Sequence, residues 1–204
     1  MNQPVDSKLL TPTVGYWINN ARVEATSTRS GEVTNPASGQ VTKRVAFANA
    51  KDIDSAVQAA KAAFPAWRAT PPLRRARVMQ KFLALMQAHT HELAVLASEE
   101  HGKTVPDAVG SVTRGIEVIE FACGIPHLQK GEHSENVGTD VDCHTLRQPL
   151  GVCAGITPFN FPAMVPLWMF PVAIATGNTF VLKPSEKVPS CSRSEERRVG
   201  KECA

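Results

Sequence analysis

No Cys-x-x-Cys pair occurs in this chain, and its five cysteines (Cys123, Cys143, Cys153, Cys191 and Cys203) follow no disulfide-framework spacing. A disulfide-stapled scaffold is thereby excluded, and the usage suits a reducing cytosol. An excess of one charge sign is missing too. A formal charge of +3, with 20% charged residues, leaves no footprint for nucleic acid or an anionic membrane surface. The Arg74-Arg75-x-Arg77 cluster reads as the solvated face of a helix. No metal centre is expected, because His89 and His91, two apart on a helix, point in different directions. The opening MNQPVDSKLL has neither an apolar core nor an Arg-rich amphipathic pattern, so no export or organelle signal is expected and the location is read as cytoplasmic. Internal repeats and low-complexity linkers are also missing. One long uncharged run, residues 161–182, has about the length that spans a bilayer. Pro162, Pro166, Pro171 and the Gly177-Asn178 pair divide it into a short helix and a short strand, which points to a buried α/β unit and no membrane partner.

What is present is enough chain, at 204 residues, for one ordinary domain or a little more. Residues 1–50 alternate polar and apolar stretches around the Asn19-Asn20 and Asn35-Pro36-Ala37-Ser38-Gly39 turns, which predicts short antiparallel strands, with a further strand over residues 41–48. Asp52 is the expected N-cap of a helix with Ile53, Val57, Ala60 and Phe64 on one stripe, ending near Trp67. Pro71-Pro72 opens a second helix. Its apolar period runs through Met79, Phe82, Leu83, Met86, Leu93 and Leu96 to Gly102. A third follows Pro106, with Val109, Val112, Ile116 and Ile119 inward. Residues 131–148 are polar and extended, with a turn near Gly138, and predict a projecting hairpin. Residues 152–156 lack polar alternation, as a parallel strand covered on both faces does. Cys153 in that strand reads as an inert core residue.

Residues 157–187, TPFNFPAMVPLWMFPVAIATGNTFVLKPSEK, are the most informative stretch. They read as a loop presenting Asn160, a helix opened by Pro162, a Gly177-Asn178 stop and a strand closed by Lys183, Pro184, Ser185 and Glu186. This run resembles the first βαβ unit of the aldehyde dehydrogenase superfamily, and its PFNFPAMVPLWMFP wording resembles the CoA-acylating methylmalonate-semialdehyde branch. VTNPASGQV, AVQAAKAAFPAWR and EEHGKT resemble the family's earlier segments in the right order, so the resemblance covers residues 15–190. It implies an α/β fold: the N-terminal part of the family's fold, with an incomplete parallel Rossmann-like sheet, flanking helices and a projecting hairpin. The implied organisation is N-terminal strands and helices of the NAD-binding domain over residues 1–128, an oligomerisation-type hairpin over 129–148 and the βαβ unit over 149–190. The catalytic domain is expected beyond the chain. Residues 193–204 resemble the in-frame translation of a sequencing adapter and are read as a foreign tail.

Two roles are open to Asn160. As a helix cap it satisfies a backbone donor; by the resemblance, it is the oxyanion-hole residue that stabilises thiolate addition to an aldehyde. Lys183 and Glu186, past the end of a parallel strand, form either a surface ion pair or, by the resemblance, the pair that holds the adenosine ribose of NAD. Ile156, Thr157, Pro158 and Phe159 line the cofactor cleft by the same resemblance. No G-x-G-x-x-G occurs, and the family uses a different glycine turn further along. Arg114 either pairs with Glu117 on a helix surface or, by the resemblance, grips the substrate carboxylate. Arg147 could serve the same end, although solvation at a strand edge fits it as well.

None of the cysteines sits in the family's nucleophile motif. The implied activity is NAD-dependent oxidation of malonate or methylmalonate semialdehyde, with CoA as co-substrate, to acetyl- or propionyl-CoA by a homo-oligomeric parent protein. The alternatives are an NAD(P)-dependent aldehyde dehydrogenase that forms a free acid, and a truncated product without catalysis. The chain itself is expected to be an inactive fragment.

Overall fold

The computed structural model describes residues 12–194. Five short strands come first: β1 (Thr13–Val14), β2 (Tyr16–Ile18), β3 (Ala21–Val23), β4 (Ser30–Asn35) and β5 (Gln40–Ala46). Asn19 and Asn20 both adopt positive φ, the conformation a two-residue hairpin turn requires, and join β2 to β3 in antiparallel register. Gly39, also at positive φ, closes the β4–β5 turn. β1 adds to β5 in parallel, giving the order β1-β5-β4.

Helices follow: α1 (Ala50–Ala69), α2 (Pro72–Ala88), α3 (Thr90–His101), α4 (Val105–Cys123) and the short α5 (Ile125–Leu128). Asp52 is not the N-cap of α1. Asn49 is, and Asp52 occupies the third helical position of a capping box, its carboxylate accepting from the Asn49 backbone while Asn49 accepts from Asp52 N. Ile53, expected inward, is exposed, because the first turn of α1 turns Asp52 and not Ile53 onto the molecule. Near the end of the helix Trp67 Nε1 donates to Ile174 O at 2.9 Å. The single helix expected from Pro72 to Gly102 is two. His89 leaves helical geometry at φ −113°, ψ 15°, and Thr90 Oγ1 turns back onto Met86 O. A near-helical apolar period persists across such a break, so pattern alone does not reveal it. Gly102, at φ +85°, ends α3 as expected.

The remaining elements are the hairpin β6 (His133–Gly138) and β7 (Val141–His144), then β8 (Val152–Ile156), α6 (Met164–Ala175) and β9 (Thr179–Lys183). β8 and β9 pair in parallel, with α6 as the crossover. The core lies between α2, α3, α4 and α6, with Phe82, Met86, Leu93, Val112, Ile119 and Leu167 fully buried. Gly115 permits the α4–α6 approach, since a Cβ there would lie 2.5 Å from Leu167 Cδ1. The uncharged run is thus a 12-residue helix of about 18 Å, a turn and a strand. No helix among the described residues is long and apolar enough to cross a membrane.

Three further expectations do not hold. β8 is not covered on both faces: Val152, Ala154 and Ile156 are exposed on one of them, and Cys153 is only half-buried. Arg75 is not on a solvated face but buried at 3% exposure. Its guanidinium donates to Ala175 O at 3.0 Å, to Thr70 O and to Gln129 Oε1. Helix α6 begins at Met164, two residues beyond Pro162, which sits in the preceding turn. The tail reading falls largely on residues 195–204, outside the described residues.

Candidate active site

The C-terminal ends of β8 and β9 lie side by side because Ile156 stands opposite Lys183 in the ladder. Thr157 N continues that ladder to Lys183 O at 3.1 Å and buries the threonine. Pairing ends at Pro158, which has no N–H to give, and the exposed residues 158–160 leave the sheet in a bend that runs to half-buried Phe161. Buried Asn178 fixes the opposite end. Its Oδ1 accepts from Leu150 N and Gly151 N, and its Nδ2 donates to Ala173 O and Thr176 Oγ1, locking the start of β8 to the end of α6. Gly155 lets β8 lie close to α6, where a side chain would meet Phe180 and Met169.

Asn160 stands at the tip of the bend, exposed, and its side chain makes no hydrogen bond among the described residues. The capping role is thus excluded: the N-cap of α6 is Ala163, with no side-chain cap. Lys183 Nζ and Glu186 Oε2 are 3.2 Å apart, both about half exposed. The backbone N–H of Glu186 and then the Lys183 ammonium hold the Glu186 carboxyl below its ordinary pKa, so it is a carboxylate at neutral pH. Ile156 and Phe159 are exposed beside them. The fold therefore gathers Ile156, Thr157, Pro158, Phe159, Lys183 and Glu186 at one sheet edge, the place where open α/β sheets bind ligands.

Arg114 is exposed on α4. It forms no ion pair with Glu117 and no hydrogen bond among the described residues. Arg147 Nε reaches only Lys130 O, at 3.4 Å, at the base of the hairpin. Two surface depressions, of about 360 and 320 Å³, are lined by Phe64, Pro65, Arg68 and Ala69 and by residues around Ile125, Arg147 and Leu150; neither includes Asn160.

Three basic side chains close to the bend went unnoticed in the sequence. Lys187 Nζ stands 4.9 Å from the Phe159 ring centroid and Lys103 Nζ 4.4 Å from that of Phe161. The His101 ring lies 6.4 Å from Phe159. Burial, then the Lys103 charge, lowers the His101 pKa. His101 and Lys103 sit more than fifty residues from the loop, and only the packing of the α3–α4 turn brings them there.

The Aldehyde dehydrogenase family profile matches residues 23–194. The malonate-semialdehyde dehydrogenase of Pseudomonas aeruginosa is 53% identical over 178 residues, which cover 87% of this chain and 36% of that protein. The acylating mitochondrial methylmalonate-semialdehyde dehydrogenase of Arabidopsis thaliana is 50% identical, over 89% of this chain and 30% of its own. Among solved structures, the methylmalonate-semialdehyde dehydrogenase of Oceanimonas doudoroffii superposes with a TM-score of 0.91 at 52% identity, over 95% of this chain and 39% of that one. A Sinorhizobium meliloti protein assigned to the same activity and complexed with NAD gives 0.90 at 50%, over 93% and 38%. Escherichia coli lactaldehyde dehydrogenase gives 0.88 at 28%, over 94% and 40%. The chain spans about a third of the length of the relatives it matches.

Proposed function

The chain belongs to the aldehyde dehydrogenase family, and on that premise we propose that the complete protein oxidises malonate or methylmalonate semialdehyde with NAD and transfers the acyl group to CoA. The products are acetyl- or propionyl-CoA and carbon dioxide. The observation that carries this reading is the identity gap: about half of the aligned residues are shared with semialdehyde dehydrogenases, against 28% with lactaldehyde dehydrogenase.

In this reading Asn160 donates a hydrogen bond from its carboxamide to the aldehyde oxygen as that oxygen gains charge. Its freedom from any other partner supports the role. Lys183 supplies donors and Glu186 an acceptor, a set that fits a ribose diol. Opening their exposed ion pair to admit it costs little. When bound, NAD supplies the hydride acceptor. Arg114, with no ion pair to break, receives the carboxylate of the substrate.

The described cysteines are poor nucleophiles. Cys191 is buried, and burial together with Glu120 raises the Cys123 thiol pKa. Cys143 sits on the exposed hairpin and Cys153 in β8, neither bonded to a basic side chain among the described residues. The nucleophile of the complete protein therefore comes from elsewhere, and the 204-residue chain alone is inactive. The exposed β6–β7 hairpin is the proposed surface for homo-oligomer assembly, and the cytoplasm the proposed location.

The test is NADH formation by the complete protein with methylmalonate semialdehyde, with and without CoA, and mass spectrometry of the product. Propionyl-CoA is expected, and Asn160→Ala should lower kcat by about 10²–10³-fold. Free acid formed without CoA would replace the acylating reading. NADH formed by the isolated chain would overturn its assignment as inactive.

A further inference from the structure

The bend that carries Asn160 has little backbone support. Thr157 N bonds Lys183 O before it and Val165 N bonds Phe161 O, at 3.3 Å, after it. No backbone hydrogen bond holds residues 158–160 among those described, and Asn160 has no side-chain partner. A catalytic amide in such a segment has to be oriented by something else. The residues on either side of it are aromatic, and each aromatic ring faces a lysine.

Lys103 is the better anchored of the two. Its side chain is only 8% exposed, its ammonium lies 3.5 Å from Asp107 Oδ2 and within hydrogen-bond reach of Ser111 Oγ at 3.4 Å, and its carbonyl accepts from Ser98 Oγ at 2.8 Å. The first turn of α4 and the end of α3 thus fix the ammonium before it meets the Phe161 ring at 4.4 Å. A cation over a ring face is attracted most strongly when it is withdrawn from water, as this one is. Lys187 approaches the other flanking ring, Phe159, at 4.9 Å, on an exposed side chain. His101 stacks at a tilt against the same Phe159 ring.

We propose that Lys103 and Lys187 are positioning residues that grip Phe161 and Phe159, the two residues flanking Asn160, and so hold the Asn160 amide in the orientation the reaction uses, with Lys103 the dominant partner. This rests on the oxyanion role proposed above for Asn160. It joins the α3–α4 turn to the candidate active site, although that turn touches no reacting atom.

The test compares Lys103→Met, which keeps the stem and removes the charge, with Lys103→Arg, which keeps a cation. Backbone amide order parameters of residues 159–161 and 163 are followed by NMR in the 204-residue chain at low concentration, and kcat and KM in the complete protein. Lys103→Met should lower the order parameters in that segment and lower kcat about tenfold with KM for NAD unchanged, and Lys103→Arg should restore both. Lys187→Met should give the same pattern with less than a threefold loss of kcat. Unchanged order parameters in Lys103→Met would overturn the proposal. So would a loss spread evenly over the whole chain, or a failure of Lys103→Arg to rescue. A local loss of order in a complete protein that forms no NADH would uphold the grip and sink the oxyanion reading instead.

Discussion

Asp52 and Arg75 show what single residues contribute that a local pattern conceals. The Asp52 carboxylate accepts from Asn49 N at 3.0 Å, Thr26 N at 3.1 Å and Thr26 Oγ1 at 2.7 Å, so it binds the start of α1 to the loop before β4. These bonds, the one from Asn49 foremost, hold its pKa below the ordinary aspartate value. A depressed carboxyl stabilises the fold fully above the unfolded pKa, about 4, and that contribution is lost as pH falls through the lower folded value. We therefore expect Asp52→Asn to lower Tm at neutral pH, and the difference from the parent chain to close as the carboxylate is protonated at acid pH, below the unfolded value. Calorimetry across that range checks it. The Asn49-x-x-Asp52 spacing is a capping-box signature, so this role was legible in sequence even though the cap was placed three residues late. Arg75 was not. Nothing adjacent marks one arginine of three as buried, and its partners at Ala175 and Gln129 are distant in the chain.

Among elements, the closest packing is between α4 and α6. Helix α6 is apolar around most of its circumference, so its sequence does not say which side meets α4. Gly115 decides it. A side chain there would overlap Leu167 Cδ1 at 2.5 Å and crowd its Cβ at 3.1 Å. Gly115→Val should destabilise the chain by about 1–3 kcal/mol through overpacking, seen as a lower urea midpoint with an unchanged slope. An unchanged midpoint would show that α4 and α6 slide apart freely. The periodicity that reveals α4 misleads at α2–α3, where apolar residues stay near helical phase across the His89 break.

For the molecule as a whole, the β8–β9 sheet is unfinished. Among the described residues β8 pairs only with β9 and turns Val152, Ala154 and Ile156 outward; Ile156 is 77% exposed and Leu150, just before the strand, 92%. An apolar sheet face beside an open edge favours strand-to-strand association. Light scattering of the 204-residue chain should show mass rising with concentration, and Ile156→Lys should reduce the rise by adding charge to that face. A chain that stays monomeric throughout would contradict this.

Local chemistry alone determined much of this protein. Turn residues placed the hairpins, prolines and Gly102 bounded helices, and the wording of residues 157–187 pointed to the family and to Asn160, Lys183 and Glu186. Those signals are short-range, carried by backbone preference and by motifs contiguous in the chain. Only the tertiary structure decided that Asn160 caps nothing, that Arg75 is buried, that β8 has a bare face and that Lys103 reaches the loop of Phe161. Each of these depends on which distant segment occupies a given volume, and no spacing within a single segment encodes it.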